Sequence, residues 1–193
     1  MDLFLSKKLL SALKFASRAH EDQKRKDMSR TPYISHPAAV GLILQKAGFS
    51  EDVIIAGILH DVIEDTKFTF ENIQEQFGET VAKLVQEVSE DTHLAHDARK
   101  ENYLENLANA SNDAVAISAA DLLANRVDML TNFADGDEIW LRPPYNMDIE
   151  KKIERDMRRF DIIKSKSNIA FLSELENVLE ETHKVLIKGL SDK

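Results

Sequence analysis

A histidine and three carboxylates fall within one short stretch, His60-Asp61-Val62-Ile63-Glu64-Asp65-Thr66. Residues four apart on a helix share a face, which predicts His60 one turn from Glu64 and Asp61 one turn from Asp65. The preceding run, Val53-Ile54-Ile55-Ala56-Gly57-Ile58-Leu59, is apolar throughout and predicts a helix buried in a core. Acids clustered at the end of such a helix are costly, because desolvated carboxylates repel one another and resist ionisation. A divalent cation removes that cost. An imidazole beside a carboxylate offers it ligands suited to manganese, iron or zinc.

Two further fragments carry the same chemistry: His36 in Ser35-His36-Pro37, and Asp121 in Asp121-Leu122-Leu123-Ala124-Asn125. Each has a plainer reading when taken alone. A His-Asp pair can simply end a helix, His-Pro can cap one, and Arg126 can be the ion-pair partner of Asp121 or Asp128. Together, His36, His60, Asp61 and Asp121 supply two imidazoles and two carboxylates. That set suits one divalent ion with positions left open for water and a phosphate oxygen. Glu64 and Asp65 are then left over, in reach to orient water and carry its proton. Asn125 lies one turn from Asp121 on the same face. His93, His96 and Asp97 have near-ligand spacing but fall in a polar stretch read as loop, so no second metal is expected there. His20 and His183 are read as surface or helix-end residues.

The whole chain bounds these readings. Its 193 residues suffice for one domain, 1–193, with a true core. Cysteine is absent, which excludes disulfides, thiolate metal sites and a cysteine nucleophile. No apolar run is long enough to span a bilayer, and Met1–Lys8 lacks a secretory pattern, so the expectation is a cytoplasmic protein with no membrane partner. The formal charge of −9 argues against a nucleic-acid partner. Local basic clusters still allow a cationic pocket for one small polyanion: Lys24-Arg25-Lys26 with Arg30, Arg99-Lys100, and Arg155-Asp156-Met157-Arg158-Arg159. The last of these, interleaved with acids, reads equally well as a solvated helix face.

With 6 glycines and 4 prolines the periodicity is helical nearly throughout, which predicts an all-α fold. Phe4, Leu5, Leu9, Leu10, Leu13 and Ala16 mark a first helix ending near His20, and 21–35 is a loop. Pro37 opens a second helix, closed by Gly48, and Ser50 caps a third. Helices after Thr69, after Gly78, around Tyr103–Ala108 and from Ser111 to Leu130 follow, with 90–97 as loop. Residues 132–146, including Trp140, Leu141, Pro143, Pro144 and Tyr145, form a second long loop, read as packed rather than as a lid or dimer contact. Helices at about 147–164 and 168–188 complete the chain.

Taken in order, the basic loop, His-Pro, His-Asp-x-x-Glu-Asp-Thr and Asp-x-x-x-Asn resemble the HD-domain hydrolases. More narrowly they resemble the small alarmone hydrolases, single-domain relatives of the hydrolase half of the Rel/Spo enzymes. The resemblance runs from about Leu9 to Leu130. Gln23-Lys24-Arg25-Lys26 followed by Pro32-Tyr33-Ile34-Ser35-His36-Pro37 is similar to that family's entrance loop, and Arg99-Lys100-Glu101-Asn102-Tyr103 to its Arg-Lys-x-x-Tyr helix. The resemblance implies an HD-type helical bundle and manganese-dependent removal of the 3′-pyrophosphate from guanosine tetra- or pentaphosphate. It implies His36, His60, Asp61 and Asp121 as metal ligands and Glu64 and Asp65 as catalytic acids. Arg25, Lys26 and Asn125 would contact the nucleotide, with Lys100 and Arg155 as phosphate contacts. Ser118 and Leu122 depart from it, standing where the family commonly has basic residues. Other HD-type readings are a nucleoside 5′-monophosphatase or an NADPH phosphatase, and a reading of a different class is a non-catalytic nucleotide sensor. The sequence leaves a homodimer open.

Overall fold

The structure, a computed structural model, describes residues 5–146 and 148–191, so Phe4 and Met147 lie outside the described residues. The helices are α1 (Lys7–Ala19), α2 (Ser35–Lys46), α3 (Glu51–Leu59), α4 (Val62–Asp65), α5 (Phe70–Phe77), α6 (Glu79–Val88), α7 (His96–Asn109), α8 (Asn112–Ala134), α9 (Ile149–Lys166) and α10 (Leu172–Ser191). A 3₁₀ turn at Ile139–Leu141 interrupts the last long loop. No strand occurs among the described residues, and one isolated bridge, Lys24 to Pro32, pins the basic loop. No helix among them is long and apolar enough to cross a membrane. The architecture is an all-α bundle.

Three serines start helices in the same way. Ser6, Ser50 and Ser111 take extended backbone, and each accepts the backbone N–H three residues on. Such caps satisfy a donor that the helix itself leaves orphaned. The core is built round α3, whose residues from Val53 to Leu59 are all buried, as a helix apolar on every side requires. It packs against α1, α2, α6 and α8, and the long α8 in turn meets α9 and α10. The contact between α2 and α3 is close because both helices present glycine there. A methyl group on Gly41 would meet Ile58 Cγ1 at 2.6 Å, and one on Gly57 would collide with Leu44.

Several boundaries differ from those read in the sequence. The helix carrying His60 is not continuous: α3 ends at Leu59, and His60 and Asp61 form a turn before the short α4. Helix α4 starts afresh from Asp61, whose carbonyl accepts the Asp65 N–H. Pro37 is the third residue of α2 rather than its opener. His96 and Asp97 belong to α7, not to a loop, since Asp97 gains from the positive end of that helix and is held by Lys151 and Arg155. Helix α8 runs past Leu130 to Ala134 because Phe133 packs on a small second cluster of Met129, Ile149 and Leu186.

Because overfilling a tight contact typically costs about 2 kcal/mol, Gly57→Val should lower Tm by roughly 4–8 °C in a thermal melt. A variant melting within about 1 °C of the parent would show that α2 and α3 are not in this contact.

Candidate metal centre and substrate pocket

The α2–α3 approach sets the His36 and His60 rings edge to face, their centroids 5.2 Å apart, and each residue is 5% exposed. His60 Nδ1 lies 2.8 Å from the Gly57 carbonyl. A carbonyl only accepts, so Nδ1 carries the proton, and in the neutral ring the lone pair is on Nε2. That Nε2 is buried and makes no hydrogen bond. Asp121, from the middle of α8, places Oδ1 3.0 Å from His36 Nε2 and 3.6 Å from His60 Nε2. Asp61 flanks the same two rings, with Oδ1 3.1 Å from His60 Nε2 and Oδ2 3.6 Å from His36 Nε2. One ligand atom each from His36, His60 and Asp121 lies within 4.8 Å of the others, and no second such group occurs among the described residues. An orphaned, buried imidazole nitrogen facing carboxylate oxygens fits a divalent transition metal.

The electrostatics point the same way. Burial opposes charge on all these groups, yet Asp61 and Asp121 outweigh it and raise His60 well above its ordinary value. Against the same burial, the His60 and His36 rings hold Asp61 down to about 2. Asp121 is held well below the carboxylate range by Arg159 and both histidines, again in spite of burial. The break after α3 sends the remaining acids elsewhere. Glu64 accepts the Glu90 N–H at 2.7 Å, and burial, with Asp61 and Glu90 repelling it, pushes its carboxyl up to about 8. Asp65 is raised by burial and by Asp61. The Tyr33 hydroxyl donates to Asp61 Oδ2 at 2.6 Å and lies 3.4 Å from Asp65 Oδ2. Behind Tyr33 stands His20, a buried residue at the end of α1 whose ring lies 4.8 Å away. Its Nδ1 meets the Gln23 side-chain oxygen at 2.7 Å, while the Gln23 amide donates to the Asp65 carbonyl.

A cavity of about 640 Å³ opens from these groups. All the residues singled out in the sequence reach it: His36, His60, Asp61, Glu64, Asp65 and Asp121, and also Arg25, Lys26, Lys100, Asn125 and Arg155. Most of its cations are tied to an acid. Arg25 donates to Asn125 Oδ1 at 2.8 Å and to Asp128 Oδ2 at 3.0 Å, Lys100 to Glu90 at 2.6 Å, and Arg155 to Asp97 at 2.8 Å. Asn125 uses its amide nitrogen on Asp121 Oδ1, at 2.6 Å. Lys26 lies over the Tyr145 ring and Lys152 over Trp140, so the 132–146 segment forms an aromatic wall of the cavity.

Other expectations are corrected. Arg126 pairs with neither Asp121 nor Asp128; it makes a buried two-bonded pair with Asp156 on α9, at 2.6 and 2.8 Å. His183 is neither a surface nor a helix-end residue: it is buried within α10, 3.5 Å from the same Asp156. Of the two departures from the family pattern, Leu122 is simply buried, whereas Ser118 accepts from Arg159. Sequence reasoning named Arg159 only within a basic cluster, without a role of its own, and missed Lys152 and the His20–Gln23 pair. For Arg159 a signal existed, since it stands four residues from Arg155 and so shares its helix face.

The raised Glu64 carboxyl is a stability statement with a definite sign. Its folded value of about 8 lies above the ordinary 4.5, so the folded state binds the extra proton and loses stability as pH rises between the two. With chelator present, Glu64→Gln should therefore melt above the wild type at pH 8.5, with the gap closing towards pH 4.5. A gap independent of pH in paired melts would contradict that environment for Glu64.

The HD-domain family matches residues 12–134. A guanosine-3′,5′-bis(diphosphate) 3′-pyrophosphohydrolase, MESH1, of Xenopus tropicalis is 41% identical over 123 residues, covering 63% of this chain and 69% of that protein. The Drosophila melanogaster MESH1 is 38% identical over 138 residues, 70% of this chain and 77% of its own. The bifunctional (p)ppGpp synthase/hydrolase SpoT of Escherichia coli is 42% identical over 100 residues, only 14% of its length. Among solved structures, a metazoan ortholog of SpoT that hydrolyses ppGpp superposes with a TM-score of 0.78 at 31% identity, covering 95% of this chain and 97% of that one. The family match over residues 12–134, set beside the histidine–aspartate cluster it contains, places the chain in the HD-domain family, to which it belongs as a relative of the small alarmone hydrolases.

Proposed function

We propose that this chain, with residues 1–193 acting as one HD-type domain in the cytoplasm, is a manganese-dependent hydrolase. Its substrate is (p)ppGpp or a closely related 3′-pyrophosphorylated nucleotide, from which it releases pyrophosphate. One observation carries this reading: His36, His60, Asp61 and Asp121 converge at the inner end of a cavity walled by lysines and arginines. The activities named for the MESH1 relatives support it.

In this reading those four side chains hold the ion. A divalent ion held there would supply Lewis acidity, making water nucleophilic near neutral pH and drawing charge from a phosphate oxygen. Water attacks the phosphorus bonded to the ribose 3′-oxygen, that P–O bond breaks, and pyrophosphate separates from the nucleoside 5′-di- or triphosphate, whose 3′-oxygen takes up a proton. Asp65 is the more exposed acid and stands beside Tyr33, placed to orient the water. Glu64, its carboxyl raised by burial and by the charges of Asp61 and Glu90, is the acid placed to hold a proton for the departing oxygen. Arg25, Lys26, Lys100 and Arg155 answer the phosphate charge, the largest demand in phosphoryl transfer. Asn125, fixed between Asp121 and Arg25, meets the nucleotide.

His60→Ala and Asp61→Ala should each lose bound metal and hydrolysis together. Glu64→Gln should keep its metal and lose turnover by roughly 10²–10⁴-fold, the usual worth of a general acid or base. Metal analysis combined with pyrophosphate and phosphate release checks this, using guanosine and adenosine 3′-pyrophosphates, NADPH and simple monophosphates as the panel. Full turnover by Glu64→Gln would remove that residue from the chemistry. Tight binding of the 3′-pyrophosphate without pyrophosphate release would make the protein a sensor.

A further inference from the structure

The metal cluster draws its four side chains from α2, α8 and the turn after α3, but a fifth group reaches it from α9. Arg159 is largely buried, its side chain 15% exposed, and it lines the cavity. Its guanidinium is held from several sides. Nε donates to Ser118 Oγ at 2.8 Å, Nη2 donates to the Ser118 carbonyl at 2.5 Å, and the group lies over the Tyr103 ring at 5.3 Å. Tyr103 is itself fixed by a hydrogen bond between its hydroxyl and Ser118 Oγ, 2.8 Å long. From this seat Nη2 also donates to Asp121 Oδ2 at 2.8 Å. Among the described residues nothing accepts from Nη1.

The two oxygens of Asp121 are therefore divided. Oδ2 belongs to Arg159, and Oδ1 faces the two imidazole nitrogens, steadied by the Asn125 amide. The terminal torsion of an aspartate is broad and soft, so an unrestrained carboxylate would sample both oxygens at the ligand position. A guanidinium anchored at several points removes that freedom. Its charge is permanent, because arginine does not deprotonate in proteins. With two aspartates neutralising a divalent ion, this fixed charge leaves the loaded cluster net positive towards an incoming phosphate.

We propose that Arg159 is a positioning residue of this site: by holding Asp121 through Oδ2 it fixes Oδ1 as the oxygen given to the ion. The proposal rests on the metal-site reading above.

The test is Mn²⁺ affinity, read from the electron paramagnetic resonance signal of free ion in titrations of metal-stripped protein. Arg159→Met should bind Mn²⁺ about 10–100-fold more weakly than wild type, the usual cost of losing a group that orients a ligand. Arg159→Lys keeps the charge without the planar fork and should fall between the two. Should the methionine variant not fold, the lysine variant carries the test, and wild-type affinity in it would overturn the proposal. A simple clamp between α8 and α9 would instead lower the Tm of Arg159→Met while leaving Mn²⁺ affinity within about 2-fold of wild type, and that result also overturns it. Failure of the wild type to bind Mn²⁺ would overturn the metal reading and this inference together. Normal binding and turnover by wild type with unchanged affinity in both variants would remove Arg159 alone.

Discussion

Two aspartates pressed against two imidazole nitrogens at the edge of an apolar core set the terms for the rest of this molecule. Carboxylates so placed need partners, and these come from three separate places in the bundle. His36 arrives on α2, His60 at the end of α3, and Arg159 on α9. Each arrival requires a packing decision elsewhere. The paired glycines let α2 and α3 approach until the histidine rings meet, and the interruption after Leu59 turns Asp61 towards the rings while Glu64 goes to Glu90. The carbonyl of Gly57 adds a second consequence: by accepting a hydrogen bond from Nδ1–H of His60 it leaves Nε2 as the nitrogen that faces the carboxylates.

The acids outside that cluster follow the opposite logic. Among the described residues no cation pairs with Glu64 or Asp65, and burial together with the charge of Asp61 makes ionisation harder for both. Within a few residues the chain thus holds carboxylates at both ends of the titration range. Held-down acids suit metal binding and held-up acids suit proton transfer, a division that environment produces from identical chemical groups.

An overall charge of −9 coexists with a cationic cavity because its positive groups are matched locally to acids that orient them. Arg25 is set by Asp128, Lys100 by Glu90 and Arg155 by Asp97. Cations oriented in this way suit the compact polyanionic substrate proposed above. The aromatic wall of Trp140 and Tyr145 belongs to the same arrangement, since lysines rest on both rings.

The helical character of the chain, the helix starts at Ser50 and Ser111, the buried α3 and the candidate residues His36, His60, Asp61, Glu64, Asp65 and Asp121 could be read from the sequence. Helical periodicity and capping are short-range properties, written in residues three or four apart. Asp61, Glu64 and Asp65 were legible because clustered acids beside an apolar run are conspicuous on grounds of solvation, whereas His36 and Asp121 joined them only when the fragments were taken together and through the resemblance to the HD-domain hydrolases. Helix ends were less so: the stop at Leu59 and the extension of α8 to Ala134 depend on neighbours distant in the chain. The partners of single charges lay wholly beyond reach. Arg126 chose Asp156, thirty residues away, over two nearby aspartates, Arg159 found Asp121 across thirty-eight, and His183 came to rest inside. Pairing across such distances follows from which helix faces meet in the bundle, and only the tertiary packing decides that.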